Sequence, residues 1–149
     1  NERQNSYLLA LKADLLKLLV MLGRYFGEET KDDGQYRYHR DAMIKSIQYI
    51  KDHFNEDITI EEISKITILS QSYFSYLFKA ITHKTFVEYV TDLRINAAME
   101  KLRNTGMLVV DICFSVGFKS VNHFNRMFKK AMGMSPLQYR KLNRGRKDD

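Results

Sequence analysis

Apolar residues recur along this chain at alternating steps of three and four, the period of helices that bury one face. The first such stretch predicts a helix over residues 7–26. Its apolar face either packs on a neighbouring domain of a longer protein or pairs with a second copy of itself. We assign residues 1–27 to this amphipathic helix. Its dimerisation seam comprises Leu8, Leu11, Leu15, Leu18, Leu22 and Tyr25.

A polar stretch then interrupts the pattern. Residues 28–40 include Gly34 and show neither a helical nor an alternating apolar period, so they are typical of a linker. A new apolar face predicts a helix from about Asp41 to His53. This face comprises Met43, Ile44, Ile47, Ile50 and Phe54.

Helix start signals divide the remainder of the chain. Thr59 and Thr85 are each followed three residues later by glutamate, which is the spacing of a capping box. The second box opens a long helix over residues 86–104. Serine caps are expected at Ser70, Ser120 and Ser135, the last followed by Pro136 in the first helical position.

The chain also repeats itself. Phe74, Phe78, Lys79 and Tyr89 reappear 50 residues later as Phe124, Phe128, Lys129 and Tyr139, and Ser70 matches Ser120. Further upstream the offset is 49, so that Ile63 and Ser64 match Ile112 and Cys113. We call these two segments the first copy and the second copy. In this comparison Thr67 takes the place of Gly117.

Each copy has the order of a helix-turn-helix, in which a first helix braces a second and leaves its outer face free to enter the DNA major groove. The predicted fold class is all-α, with two helix-turn-helix subdomains joined by the long helix and preceded by the amphipathic one. We assign residues 41–142 to this double domain and residues 143–149 to a charged tail. The outward side chains of the second helices are Ser72, Ser75, Tyr76 and Lys79 in the first copy, and Asn122, His123, Asn125, Arg126 and Lys130 in the second.

Charge is concentrated where these helices lie. Residues 70–149 contain 14 Lys/Arg against 6 Asp/Glu, whereas residues 41–69 contain 3 against 6. A basic half indicates a polyanionic partner. Arginine can form two hydrogen bonds to guanine, and asparagine can form two to adenine. Lysines and capped helix starts can bind phosphates. The predicted phosphate contacts are Ser70, Gln71, Lys79, Arg94, Ser120, Lys129 and Lys130.

Other kinds of site find little support. The single cysteine, Cys113, excludes an internal disulfide, and its place beside Ile112 indicates a core residue. No histidine has a companion at ligand spacing, so no metal or cofactor is expected. No apolar run is long enough to span a membrane, and we expect a reducing, cytoplasmic compartment. Since the chain begins at Asn1, we expect a piece of a longer protein.

The stretch DICFSVGFKSVNHFNRMFKKAMGMSPLQYR, residues 111–140, resembles the signature of the AraC/XylS family of bacterial transcription regulators. The resemblance covers about residues 43–142. It implies a seven-helix, two-unit DNA-binding domain, a ligand-sensing domain before it, homodimerisation through the preceding helix, and contact with RNA polymerase. The base-reading positions that it implies are Ser72, Ser75 and Tyr76 in the first copy, and Asn122, His123 and Arg126 in the second.

Two departures from the family pattern concern the first copy. His83 stands where the second copy has Gly133, and we expect it to adopt a left-handed backbone at a cost below about 1 kcal/mol. The outward residues of the first recognition helix are small and neutral, which favours the second copy as the main reader of bases.

The length of the long helix gives the separation expected between the two helix-turn-helix copies. Nineteen residues at about 1.5 Å each span roughly 28 Å, close to the roughly 34 Å between successive major grooves. A single chain is therefore expected to bind a bipartite, non-palindromic site on double-stranded DNA. The alternative is a helical protein-interaction module with non-specific DNA affinity. DNA-repair alkyltransferases can carry a similar module beside reactive cysteines, but the single cysteine is predicted to be buried and no paired carboxylates or Ser/His/Asp set is present, so we expect no enzyme.

Overall fold

The computed structural model describes residues 33–144, which form seven helices and no strand. The predicted seam from Leu8 to Tyr25 and the end of the charged tail lie outside these residues. The helices are α1 (Asp33–His53), α2 (Ile60–Thr67), α3 (Gln71–Thr82), α4 (Phe86–Asn104), α5 (Val109–Ser115), α6 (Val121–Met132) and α7 (Pro136–Arg144). The all-α prediction is confirmed.

Helix α1 begins earlier than the sequence pattern indicated. It starts at Asp33, within the stretch that we assigned to a non-helical linker. Once residues 41–53 are helical, each further residue adds a backbone hydrogen bond without repeating the cost of nucleation, so a polar stretch can extend the helix. The chain divides into two compact units, Asn1–Tyr38 and His39–Asp149, and every contact described below lies within the second.

The buried face of α1 also differs from the expected one. Met43 and Ile50 are buried, but Ile44 is more than half exposed. Ser46 is buried instead, and its hydroxyl donates to the carbonyl of Met43 at 2.8 Å. Because this bond satisfies the hydroxyl locally, a serine can occupy the face that apolar spacing alone assigned to isoleucine.

The two copies have parallel cores built on the repeated aromatic residues. Phe74 and Phe78 are fully buried in the first copy, as Phe124 and Phe128 are in the second. The two ring centres lie 5.4 Å apart in the first copy and 5.7 Å apart in the second. Phe78 and Phe128 also pack against the equivalent residues Tyr89 and Tyr139, with ring planes at 90° and 74°. These rings attach each recognition helix, α3 or α6, to the helix that follows it.

The predicted helix caps are confirmed. Both glutamate capping boxes form, with Glu62 and Glu88 accepting the backbone N–H of the cap residue. Ser70 and Ser120 cap α3 and α6, and Ser135 forms a reciprocal pair with Gln138 at the start of α7. Each recognition helix is 12 residues long, and the connecting helix α4 has the predicted 19 residues.

The residue equivalent to Gly117 is Ile68, not Thr67 as we inferred. In the first turn, the N–H of Ile68 donates to the carbonyl of Lys65, and the N–H of Leu69 donates to that of Ser64. In the second turn, Gly117 donates to Phe114 and Phe118 donates to Cys113, which is the same pattern. Ile68 and Gly117 are both left-handed, with φ of 55° and 92°. The offset therefore stays at 49 through this turn, and the extra residue of the second copy is Lys119.

The left-handed backbone expected for His83 at the end of α3 is confirmed. Its φ is 57°, and Gly133 ends α6 in the same left-handed region with φ of 71°. No helix among residues 33–144 is long and apolar enough to cross a membrane.

Candidate nucleic-acid interface

Helix α6 presents a polar outer surface over a buried aromatic core. Phe124 and Phe128 are fully buried on its inner side, with Met127 packed beside them. The side chains on the opposite side are exposed. They include four of the predicted outward residues, namely Asn122, His123, Asn125 and Arg126. The amphipathic pattern of the second copy is thus oriented as predicted, and its polar face is open to a ligand.

Arg126 lies near the middle of this face. Within residues 33–144 no carboxylate forms an ion pair with its guanidinium. Asn122 is one turn earlier on the same side. A guanidinium with no ion pair in this part of the chain and an amide one turn away match the donor and acceptor pattern with which side chains recognise guanine and adenine in the major groove.

His123 is held by the turn that precedes the helix. Its ring packs in a T-shaped arrangement with that of Phe118, with ring centres 5.6 Å apart and planes at 75°. Its backbone N–H donates to the Ser120 hydroxyl at 3.5 Å, so His123 belongs to the capped first turn of α6. The side chain is exposed, so the contact orients the imidazole without covering it.

Helix α3 presents a less polar surface. Ser72, Ser75 and Tyr76 are exposed as predicted, but the Ser75 hydroxyl donates to the carbonyl of Gln71 at 2.7 Å. Tyr76 is 69% exposed, at the position that Arg126 occupies in the second copy. The equivalent of His123 is Tyr73, whose hydroxyl lies 3.3 Å from Nδ1 of His39 in α1. This contact joins α1 to the first recognition helix, and no residue spacing in the sequence predicts it.

The predicted phosphate contacts, apart from one, are exposed at the ends of the two recognition helices. Ser70 and Ser120 each accept a backbone N–H, which leaves the hydroxyl hydrogen available to a phosphate oxygen. Lys79 and Lys129 lie at equivalent places in the last turns. The exposed set comprises Ser70, Gln71, Lys79, Ser120, Lys129 and Lys130.

Arg94 is placed differently. Its Nε donates to the carbonyl of Phe54 at 2.7 Å, and its Nη2 donates to the carbonyl of Glu56 at 2.8 Å. The guanidinium carbon lies 5.9 Å from the centre of the Phe118 ring. Two of the donors that a phosphate contact would use are therefore bound to the loop between α1 and α2, and Arg94 joins the two copies.

A second bridge between the copies was not identified from the sequence. Lys119 Nζ donates to Asp57 Oδ2 at 2.6 Å, and this pairing lowers the pKa of Asp57, first through the hydrogen bond and then through charge. The signal that could have found it is the change of offset from 49 to 50. That change shows an inserted residue immediately before the cap of α6, at the site where Lys119 lies.

Two further carboxylates are held by neighbours. Hydrogen bonding to Lys65 lowers the pKa of Glu61, and hydrogen bonds from the backbone and hydroxyl of Thr85 lower the pKa of Glu88. The charges of Lys79 and Lys130 also lower the pKa of Glu88, which places this carboxylate near the last turns of both recognition helices. Glu88 therefore offsets part of the positive charge there.

Cys113 occupies the core of the second copy, as predicted. Its side chain is fully buried, and burial raises the pKa of the thiol. Because the thiolate is the reactive form, this environment disfavours nucleophilic chemistry. No group of three or more His, Cys, Asp or Glu side chains suited to a metal ion occurs among residues 33–144.

Comparison with known proteins agrees with this geometry. The profile of a family described as a helix-turn-helix domain matches residues 63–142. The uncharacterized HTH-type transcriptional regulator YdeC of Bacillus subtilis is 36% identical over 115 residues, which are 73% of this chain and 40% of that protein. Regulatory protein SoxS of Salmonella typhimurium is 28% identical over 102 residues, 68% of this chain and 95% of that protein.

A solved structure is also similar to this chain. The C-terminal domain of AraT, a response regulator from Geobacillus stearothermophilus, superposes with a TM-score of 0.65 at 33% identity, covering 68% of this chain and 84% of that one. This chain spans well under half the length of YdeC, so it matches one part of such a regulator. The chain belongs to the AraC-type family of helix-turn-helix domains.

Proposed function

We propose that this chain is the DNA-reading part of a transcription regulator. It binds double-stranded DNA through α3 and α6, with α6 supplying most of the base preference. The observation that carries the proposal is the outer face of α6, where Asn122 and Arg126 are exposed one turn apart above a fully buried aromatic core. No catalytic step belongs to this proposal.

The two recognition helices have different tasks. Asn122, His123 and Arg126 carry base recognition in the second copy. Ser72, Ser75 and Tyr76 are the corresponding residues of the first copy, with smaller or neutral polar groups. Phosphate contacts hold both helices in place without reading sequence. They come from Ser70, Gln71, Lys79, Ser120, Lys129 and Lys130.

The test is selection of bound sites from a pool of random duplexes by the 149-residue chain. We expect one strongly preferred block of bases, bound by α6, and a weaker block about one helical turn (roughly 10 base pairs) away, bound by α3. A footprint confined to one groove contradicts the bipartite site. Weak binding without any preferred sequence supports the protein-interaction module instead.

The proposal extends to parts of the protein beyond the described residues. A ligand-sensing domain would control the DNA-binding domain, RNA polymerase would be contacted at the promoter, and the seam from Leu8 to Tyr25 would pair two chains in the cytoplasm. Sedimentation of the chain over a range of concentrations tests the pairing. A monomer at every concentration, with the seam intact, contradicts it.

A further inference from the structure

The two copies touch at a second place besides the connecting helix α4. The loop between α1 and α2, residues 54–59, contacts the turn between α5 and α6, residues 116–120. Asp57 pairs with Lys119 at 2.6 Å. Arg94, which projects from α4 between them, donates to two carbonyls of the loop and lies over the Phe118 ring of the turn.

The closest approach in this contact is between two backbones. A Cβ atom placed on Gly117 would lie 2.6 Å from the carbonyl oxygen of Asn55 and 2.9 Å from its carbonyl carbon and Cα. Real Cβ atoms do not come this close to another atom. Since the obstacle is main chain, no side-chain rotation can relieve it, and any side chain at Gly117 must move the loop away from the turn.

The repeat shows that the turn itself does not demand glycine. Ile68 occupies the equivalent place in the first copy with a left-handed backbone, and its side chain is 81% exposed. The second copy thus combines two features that the first lacks: a glycine where the loop approaches, and the inserted Lys119 that pairs with the loop. Both features serve the contact between the copies.

This contact lies next to both recognition helices. The turn ends at the cap of α6, and the loop leads into α2, the helix that braces α3. Helix α4 contributes to both cores, with Val90 in the first and Ile95 in the second, and the contact between the loop and the turn is a second attachment that does not pass through α4. We propose that Gly117 and its contact with Asn55 are positioning elements that fix the spacing at which α3 and α6 meet DNA, with Arg94 and the Asp57–Lys119 pair as support. The proposal rests on the proposed DNA-binding function.

The experiment varies the distance between the two blocks of the selected DNA site. Inserting or deleting one base pair turns the far block by about 34° around the duplex. We expect the wild-type chain to prefer the selected spacing by about tenfold, the equivalent of losing one good bidentate base contact. Gly117→Ala is expected to reduce this preference to about twofold, because the copies can then adapt to either spacing.

Gly133→Ala is the matched control. Gly133 is also left-handed, with φ of 71°, but nothing lies within 4 Å of its absent Cβ. Both variants therefore carry the backbone strain of alanine, and only one displaces a neighbour. Gly133→Ala is expected to keep the wild-type spacing preference. An equal loss of preference in both variants overturns the proposal.

A second variant covers the case in which Gly117→Ala does not fold. Arg94→Met keeps the packing of the aliphatic stem and removes both hydrogen bonds to the loop. It is expected to relax the spacing preference in the same direction, and to leave the base preference within each block unchanged. A spacing preference that stays at the wild-type value in the folded variant overturns the proposal.

A measurement without DNA separates this proposal from the proposed function. Spin labels at Ala80→Cys and Ala131→Cys, both exposed, report the distance between α3 and α6. Cys113→Ser removes the native thiol, since Ser64 fills the equivalent buried place. We expect one narrow distance distribution that broadens in Gly117→Ala and not in Gly133→Ala. Equal widths overturn the proposal. Failure to select any DNA site overturns the proposed function, and the distance distributions then still report whether Gly117 fixes the separation of α3 and α6.

Discussion

Ile68 and Gly117 occupy the same place in the two helix-turn-helix copies and share a left-handed backbone, with φ of 55° and 92°. Such a conformation costs roughly 1–2 kcal/mol for a residue with a side chain, and it is least favourable for a β-branched one. Ile68 is 81% exposed, so packing compensates little of that cost. The first copy carries local strain that the second copy avoids.

Ile68→Gly is therefore expected to raise the free energy of unfolding by about 1 kcal/mol, because relief of the strain exceeds the added entropy of the unfolded chain. Denaturant titration followed by circular dichroism measures it. The control is Ile66→Gly, at a half-exposed isoleucine within α2, which is expected to lose about 0.5–1 kcal/mol as glycine does inside a helix. Destabilisation by both changes would show that Ile68 is not strained.

Arg126→Ala is expected to weaken binding to the selected site by roughly 1–3 kcal/mol and to relax base preference at one position, because a bidentate contact is lost. Binding titrations against duplexes varied at each position measure it. Lys129→Ala is the comparison, since that lysine lies in the last turn of the same helix. It is expected to weaken all sequences alike and to reduce the salt slope by about 1. A uniform loss in Arg126→Ala would contradict its base-reading role.

The capping box at Thr85 predicts a pH dependence of stability. Hydrogen bonds from Thr85 lower the pKa of Glu88 below its ordinary 4.5, so the folded state favours the charged form. This contribution is present above pH 4.5 and is lost as pH falls through the lowered pKa. Thermal unfolding of the wild type should therefore move to lower temperature as the solution is acidified.

Glu88→Gln isolates this effect from the other carboxylates. Glutamine can also accept the Thr85 N–H in a capping box, but it does not titrate. On acidification, the midpoint temperature of unfolding is expected to fall further in the wild type than in the variant. Asp57 and Glu61 contribute equally to the pH dependence of both proteins. Parallel pH profiles would contradict the assignment of a lowered pKa to Glu88.

The Cys113 thiol is expected to resist modification in the native protein. It is fully buried, and burial raises its pKa. Alkylation then requires opening of the core, so it should be about a thousandfold or more slower than in the denatured chain. Absorbance of a chromogenic disulfide reagent measures both rates. Rapid reaction of the folded protein would instead support an enzyme that uses this cysteine.

Local signals accounted for much of the fold. Caps such as Thr59, Ser70 and Thr85 mark helix starts because they satisfy backbone N–H groups within four residues of themselves, and such signals need no tertiary context. The outward position of Arg126 was predicted for a related reason, since helical period places it opposite Phe124 and Phe128. The base-reading assignments themselves stay predictions until DNA binding is measured.

The start and the buried face of α1 were predicted poorly. Helix α1 extends to Asp33 through a stretch whose composition resembles a linker. Ser46 replaces Ile44 on the buried face because a hydrogen bond to Met43 satisfies its hydroxyl. In both cases cooperativity or a local bond prevails over the apolar pattern, and neither is visible in residue spacing alone.

The sequence by itself determined the all-helical class, the duplication, the helix caps and the polar outer face of α6, because each depends on periodicity or on groups a few residues apart. Only the tertiary structure decided that Arg94 binds the α1–α2 loop, that Lys119 reaches Asp57, and that Gly117 makes room for Asn55. These contacts join residues about 40 to 62 positions apart, and their partners are set by how the two copies pack.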